Sequence, residues 1–161
     1  MLTGLQSGQI CMATDRIVLH SAIAPAFINA FKAALTAAAA DAPLPPTLVS
    51  SASKERVEKL VSEALSSGAH VIHGPAVTNG DHVNGTETKG VHMAPTVLGG
   101  TNESMRIWQD ESFASLAACI VVDSDDEAVA VANRGGYGLS AAIFTEDLRK
   151  GFKLAKRIES G

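Results

Sequence analysis

The sequence predicts an α/β fold, a largely parallel twisted sheet with flanking helices, on three observations. Short apolar, β-branched runs alternate with longer stretches whose apolar residues recur at helical spacing. Proline, glycine and capping residues punctuate the changeovers. The run 116–122, Leu-Ala-Ala-Cys-Ile-Val-Val, is apolar at every position, as a buried strand of a parallel sheet is. With 161 residues, 46% of them hydrophobic, the chain has the material for one core, and neither a repeat nor a long linker divides it. Residues 1–161 are therefore expected to form a single domain.

Taken in order, residues 16–20 (Arg-Ile-Val-Leu-His) are a short β-branched run and predict a strand. Ser21 or Pro25 opens a helix with Phe27, Phe31 and Leu35 on one face. Three prolines within 41–46 forbid its continuation. Ser53 is expected to cap a second helix that buries Val57, Leu60, Val61, Ala64 and Leu65, and Gly68 to stop it. Residues 69–74 resume as a strand, and 75–90, rich in Gly, Asn, Asp and Thr, form a surface loop. A further short strand spans 91–98, broken by Pro95. After the strand 116–122, Ser124 leads into a helix through Val129 and Ala132, where Asp125, Asp126 and Glu127 complement the positive end of the helix dipole. Residues 137–144 predict another strand, and Asp147 caps a last helix with Phe152, Leu154, Ala155 and Ile158 as its apolar positions.

Charge and composition narrow the function classes. A net charge of −4, with lysines and arginines gathered only at 149–157, argues against nucleic acid as a partner. The Ala-rich stretch 33–40 is too short to span a bilayer, and no signal peptide is visible, so no membrane partner is expected. The glycosylation patterns at Asn84 and Asn102 are therefore attributed to chance, and a reducing, cytoplasmic setting is expected. Of the two cysteines, Cys119 falls in the apolar run and is expected to be a buried structural thiol. Cys11 follows Gly8-Gln9-Ile10 and precedes Arg16 by five positions. A thiol in a flexible turn is a candidate nucleophile, because thiolate is intrinsically reactive, although a buried structural thiol is the alternative. His20, His70, His73, His82 and His92 are possible bases, but nothing in the sequence brings one to Cys11. His70 and His73, three apart in a strand, would point to opposite faces, and no metal site is expected.

Three landmarks, Gly8-Gln9-Ile10-Cys11 with Arg16, Glu111-Ser112-Phe113, and Asn133 followed by Tyr137-Gly138-Leu139, together resemble the catalytic domain of the NAD(P)-dependent aldehyde dehydrogenase superfamily. The 100-residue separation of Cys11 from Glu111 is close to the family's spacing, and the resemblance runs from Gly8 to Gly161. It implies an aldehyde-dehydrogenase catalytic-domain-like fold, with Cys11 as the catalytic nucleophile that captures the aldehyde. It also implies that Glu111 accepts hydrogen bonds from the nicotinamide-ribose hydroxyls and that Phe113 packs beside the cofactor, NAD or NADP. The Ile-Cys-Met context is most reminiscent of members acting on aromatic or other hydrophobic aldehydes.

Two departures bear on activity. The family's dinucleotide-binding domain, oxyanion-hole asparagine and general-base glutamate precede the cysteine motif, and here only ten residues do. Where the family continues Gly-Pro after the phenylalanine, this chain has Ala114-Ser115. The chain is therefore expected to be a naturally truncated relative without the C-terminal oligomerisation strand. The isolated chain is expected to need no cofactor, with Cys11 acting on an aldehyde, ester or thioester by hydrolysis, condensation or cyclisation. One alternative is a fragment of an NAD(P)-dependent dehydrogenase oxidising an aromatic or hydrophobic aldehyde to an acid; another is a non-catalytic binding or assembly protein. The expected partners are a small-molecule substrate and further copies of the chain in a homo-oligomer; the dehydrogenase alternative adds a partner chain supplying a cofactor domain.

Overall fold

A computed structural model describes residues 6–40, 46–75 and 91–160. Its sheet has four strands, β1 (Arg16–His20), β2 (His70–His73), β3 (Thr96–Gly99) and β4 (Leu116–Val122), in the spatial order β1-β4-β3-β2. β4 runs parallel to both neighbours, aligning Val18 with Ile120 and Leu98 with Ala118. β2 closes one edge antiparallel to β3, with a register shift between Val71 and His73. The sheet is thus three parallel strands with one antiparallel edge.

The central strand β4 explains why its sequence lacks polar alternation. Leu116, Ala118, Ile120 and Val122 face one core together with Val57, Val61 and Ala64 of α2 (Ser51–Ser66), Ile107 and Trp108 of α3 (Arg106–Gln109), and Val131 of α4 (Asp125–Asn133). Ala117 and Cys119 face the other way, against Leu35, Ile28 and Phe31 of α1 (Ala24–Ala40). Helices cover both faces, so alternate side chains are all apolar. Burial of each large aliphatic side chain contributes about 1.5–3 kcal/mol, which makes the α2 face the larger source of stability.

The structure differs from the sequence expectations at α2, at 91–98 and at 137–144, and it adds α3, where no element was expected. α2 begins at Ser51, and its N-cap is Ser50, whose hydroxyl accepts from the Ser53 N–H at 3.1 Å; Ser53 is inside the first turn. The strand expected over 91–98 divides: His92 makes an isolated bridge to Thr47, and regular pairing begins only at Thr96, beyond Pro95. The strand expected over 137–144 does not form, for this stretch pairs with no strand among the described residues. It lies instead along a cleft of about 490 Å³ beside α5 (Leu148–Ala155), lined by Ile143, Leu148, Phe152 and Ile158. Asp147 caps α5 as expected, accepting from the N–H groups of Arg149 and Lys150. The proline-rich break at 41–45 and the loop 76–90, with His82 and the Asn84 pattern, lie outside the described residues.

Candidate functional site

Cys11 is exposed in a turn that the Ala13 N–H closes onto the Ile10 carbonyl at 2.9 Å. The turn follows a single 3-10 turn, Gln6–Gly8, in which Ser7 and Gly8 both take positive φ, 60° and 76°. Gly8 needs its missing side chain, because a Cβ there would run into the carbonyl oxygen of Ala114. Gln9 secures the other side, donating to the Thr47 carbonyl at 2.9 Å and accepting from the Val49 N–H at 2.7 Å. Ser7 accepts from the Thr47 N–H at 3.0 Å. The Gly-Gln pair before the cysteine is thus what docks its loop against two other segments.

One of those segments carries Glu111 and Phe113, between α3 and β4. Two side chains from distant elements hold its backbone. Arg56 of α2 donates to the carbonyls of Glu111 at 3.0 Å and Ser112 at 2.6 Å. Asp15, just ahead of β1, accepts from the Ser112 N–H at 3.0 Å and from the Ser112 hydroxyl. Ser112 itself is buried, while Glu111 is exposed and Phe113 keeps 40% of its surface. Phe113 sits at φ 48°, a left-handed conformation that L side chains enter at a cost of about 1–2 kcal/mol. Ala114 and Ser115, in the place of Gly-Pro, are both buried, and the Ser115 hydroxyl has no hydrogen-bond partner among the described residues.

Asp15 also accepts from the Tyr137 hydroxyl at 2.6 Å, which brings in the third motif. Burial, and after it the Asp15 carboxylate, raises the Tyr137 phenol well above its ordinary pKa. Arg16 stands with its guanidinium 4.4 Å from the Tyr137 ring centre and 5.7 Å from that of Trp108, and donates to the Tyr137 carbonyl. Gly135 leaves room for this guanidinium, which a Cβ would strike. Asn133 donates to the Arg157 carbonyl at 2.8 Å and accepts from the Glu159 N–H at 3.0 Å, tying the stretch after α5 to α4.

The three sequence landmarks therefore meet around one cluster, although 97 residues separate Asp15 from Ser112 and 122 separate it from Tyr137. Asp15, Arg56, Ser112 and Tyr137 escaped notice as site residues because their roles depend on partners that no local pattern reveals. Cys119 is buried on the α1 face, as expected, and burial pushes its thiol up to about 12. The described histidines are engaged elsewhere. His20 accepts from the Ala22 N–H at 3.2 Å, His92 hydrogen-bonds Thr47 at 3.0 Å, and His70 lies beside Gly99 and Gly100. Burial, with the Lys32 ammonium adding, holds the His73 imidazole below its ordinary pKa. Among the described residues, no three His, Cys, Asp or Glu side chains are grouped to hold a metal ion.

Comparison with known proteins places this geometry in a family. Residues 3–161 match the model of the aldehyde dehydrogenase family. The chain is 32% identical to a vanillin dehydrogenase of Pseudomonas fluorescens over 159 residues, 96% of this chain and 31% of that protein. It is 33% identical to a betaine aldehyde dehydrogenase of Hordeum vulgare, over 96% of this chain and 30% of the relative. The crystal structure of lactaldehyde dehydrogenase from Escherichia coli superposes with a TM-score of 0.82 at 26% identity, covering 99% of this chain and 33% of that one. The chain spans about a third of the length of these relatives.

Proposed function

The chain belongs to the aldehyde dehydrogenase family, and on that premise we propose that its 161 residues act as one catalytic domain in the NAD(P)-dependent oxidation of an aldehyde, with Cys11 as nucleophile. The observation that carries this reading is the docking of the exposed Cys11 turn, through Gly8, onto the segment that presents Glu111 and Phe113. Family membership implies NAD or NADP as the cofactor. The residues present fit that group: Glu111 is exposed and its carboxylate is free of ion pairs among the described residues, and Phe113 is 40% exposed. Glu111 would accept hydrogen bonds from the ribose hydroxyls, and Phe113 would pack beside the cofactor.

In this mechanism the Cys11 thiolate adds to the aldehyde carbon, forming the C–S bond and placing negative charge on the former carbonyl oxygen. The Cys11 backbone N–H is a candidate donor to that oxygen. NAD or NADP, when bound, supplies the hydride acceptor. Water then adds to the resulting Cys11 thioester, and breakage of the C–S bond returns the thiolate and releases the acid. The remaining cofactor-binding surface would come from dehydrogenase sequence outside these residues, on the same polypeptide or on a partner chain.

The similarities named above favour this dehydrogenase reading over the cofactor-independent hydrolysis or condensation expected from the sequence. They select no aldehyde, since an aromatic-aldehyde enzyme and a betaine-aldehyde enzyme are almost equally similar. Met12, 67% exposed, and Ile10 flank Cys11, and these apolar neighbours support a hydrophobic or aromatic substrate. An exposed free thiol also suits a reducing, cytoplasmic setting. Self-association is part of the proposal, because Leu139, Phe144, Leu148 and Phe152 are all exposed along one stretch.

The test combines nicotinamide reduction with thermal melts at millimolar NAD or NADP. Benzaldehyde is expected to be oxidised in preference to betaine aldehyde, and a cofactor bound only by the native chain must raise its Tm. Cys11→Ser is expected to lower the rate by roughly a thousandfold or more. No cofactor reduction when the remaining dehydrogenase sequence is supplied, on the same polypeptide or as a partner chain, would remove the dehydrogenase reading; ester hydrolysis lost in Cys11→Ser would then restore the cofactor-independent one.

A further inference from the structure

The segment that presents Glu111 and Phe113 is not rigid by its own sequence. It holds Phe113 at positive φ without glycine or proline on either side, since Ser112 precedes it and Ala114-Ser115 follow. Something outside the segment must offset that strain. Two groups reach it: Arg56, which ties down two carbonyls from α2, and Asp15, which takes both the N–H and the hydroxyl of Ser112.

Asp15 differs from Arg56 in where it stands. It lies four residues after Cys11, at the exit of the cysteine turn, and its own carbonyl accepts from the Ala118 N–H of β4 at 3.0 Å. Its backbone is thereby fixed on the sheet, while its carboxylate gathers Ser112 and Tyr137. Charge-assisted hydrogen bonds to a carboxylate are roughly twice as strong as neutral ones, so one side chain can hold three donors in register.

We propose that Asp15 is a positioning residue that fixes the Glu111–Phe113 segment relative to Cys11, so that the cofactor-facing pair and the nucleophile keep one geometry. The inference rests on Glu111 and Phe113 being that pair. Asp15 touches neither substrate nor cofactor; it acts through Ser112. Removing it releases the strained turn at Phe113 while leaving the Arg56 contacts and the sheet pairing in place. An asparagine at the same position keeps one acceptor oxygen for the Ser112 N–H and the Tyr137 hydroxyl, and its amide donates to the Ser112 hydroxyl. It is therefore the conservative replacement.

The experiment compares the full 161-residue chain with its Asp15→Ala, Asp15→Asn and Ser112→Ala variants by amide hydrogen exchange and by NAD and NADP titration. Asp15→Ala is expected to speed exchange at residues 112–114 about tenfold or more relative to β4 and α2, and to weaken cofactor binding by a similar factor below the Tm. Asp15→Asn is expected to restore most of both, and Ser112→Ala to reproduce part of the loss should Asp15→Ala fold poorly. A uniform rise in exchange across the chain, or unchanged exchange at 112–114, would overturn the proposal, since a merely structural carboxylate destabilises everything alike. The exchange comparison needs no cofactor and decides the role of Asp15, whereas cofactor reduction with the remaining dehydrogenase sequence supplied decides the proposed function.

Discussion

Cys119 sits at the centre of β4 with 2% of its surface exposed, and Cys11 sits exposed in a turn, so burial alone separates the two thiols chemically. Burial disfavours the thiolate and raises Cys119 from 9.0 to about 12. Between those values the unfolded chain has released a proton that the folded chain retains. Stability is therefore full below pH 9 and falls as pH rises towards 12. The Tyr137 phenol, also raised, contributes with the same sign at still higher pH. Melts followed by circular dichroism are expected to show a level Tm near neutrality and a decline above pH 9, shallower in Cys119→Ala. Identical slopes in the two proteins would refute the assignment. At this scale the sequence was legible where a residue's chemistry is local. Cys11 and its preceding Gly-Gln stand out in any reading, and Cys119 announces its burial through apolar neighbours. Asp15 was illegible, because nothing at position 15 tells that Ser112 and Tyr137 will arrive beside it.

Among the elements, α2 shows how tertiary contacts choose between equivalent local signals. Ser50, Ser51 and Ser53 are all competent N-caps, and propensity does not rank them. The choice falls on Ser50 because the chain just before it is already fixed: Leu48 is buried, and Gln9 holds the Val49 N–H. Ser50→Ala is expected to cost about 1 kcal/mol in urea unfolding, and Ser53→Ala distinctly less. Equal costs would mean that the helix start shifts freely between them. Residues 137–144 show the converse. Their β-branched and aromatic content marks strand propensity, yet a strand exists only when a neighbour supplies its hydrogen bonds, and none does among the described residues.

For the whole molecule, the consequence of that unpaired stretch is apolar surface. Phe144 is 92% exposed, Leu148 74% and Phe152 69%, and α5 has no buried residue. Light scattering of the purified chain is expected to report a dimer or larger species, with Phe144→Ser and Phe152→Ser together shifting it towards monomer. A monodisperse monomer at tens of micromolar would remove that part of the proposal. The sequence by itself determined the fold class, the course of the chain from β1 through α2 to β2 and from β4 to α4, the burial of β4 and the cysteine motif, because each follows from periodicity, breakers or reactivity within a few residues. Only the tertiary structure decided that Gly8 abuts Ala114, that Ser50 rather than Ser53 starts α2, and that Asp15 and Arg56 hold the segment bearing Glu111 and Phe113. Those are contacts between residues tens of positions apart, and local pattern carries no information about which of many distant groups a buried hydrogen-bonding atom will find.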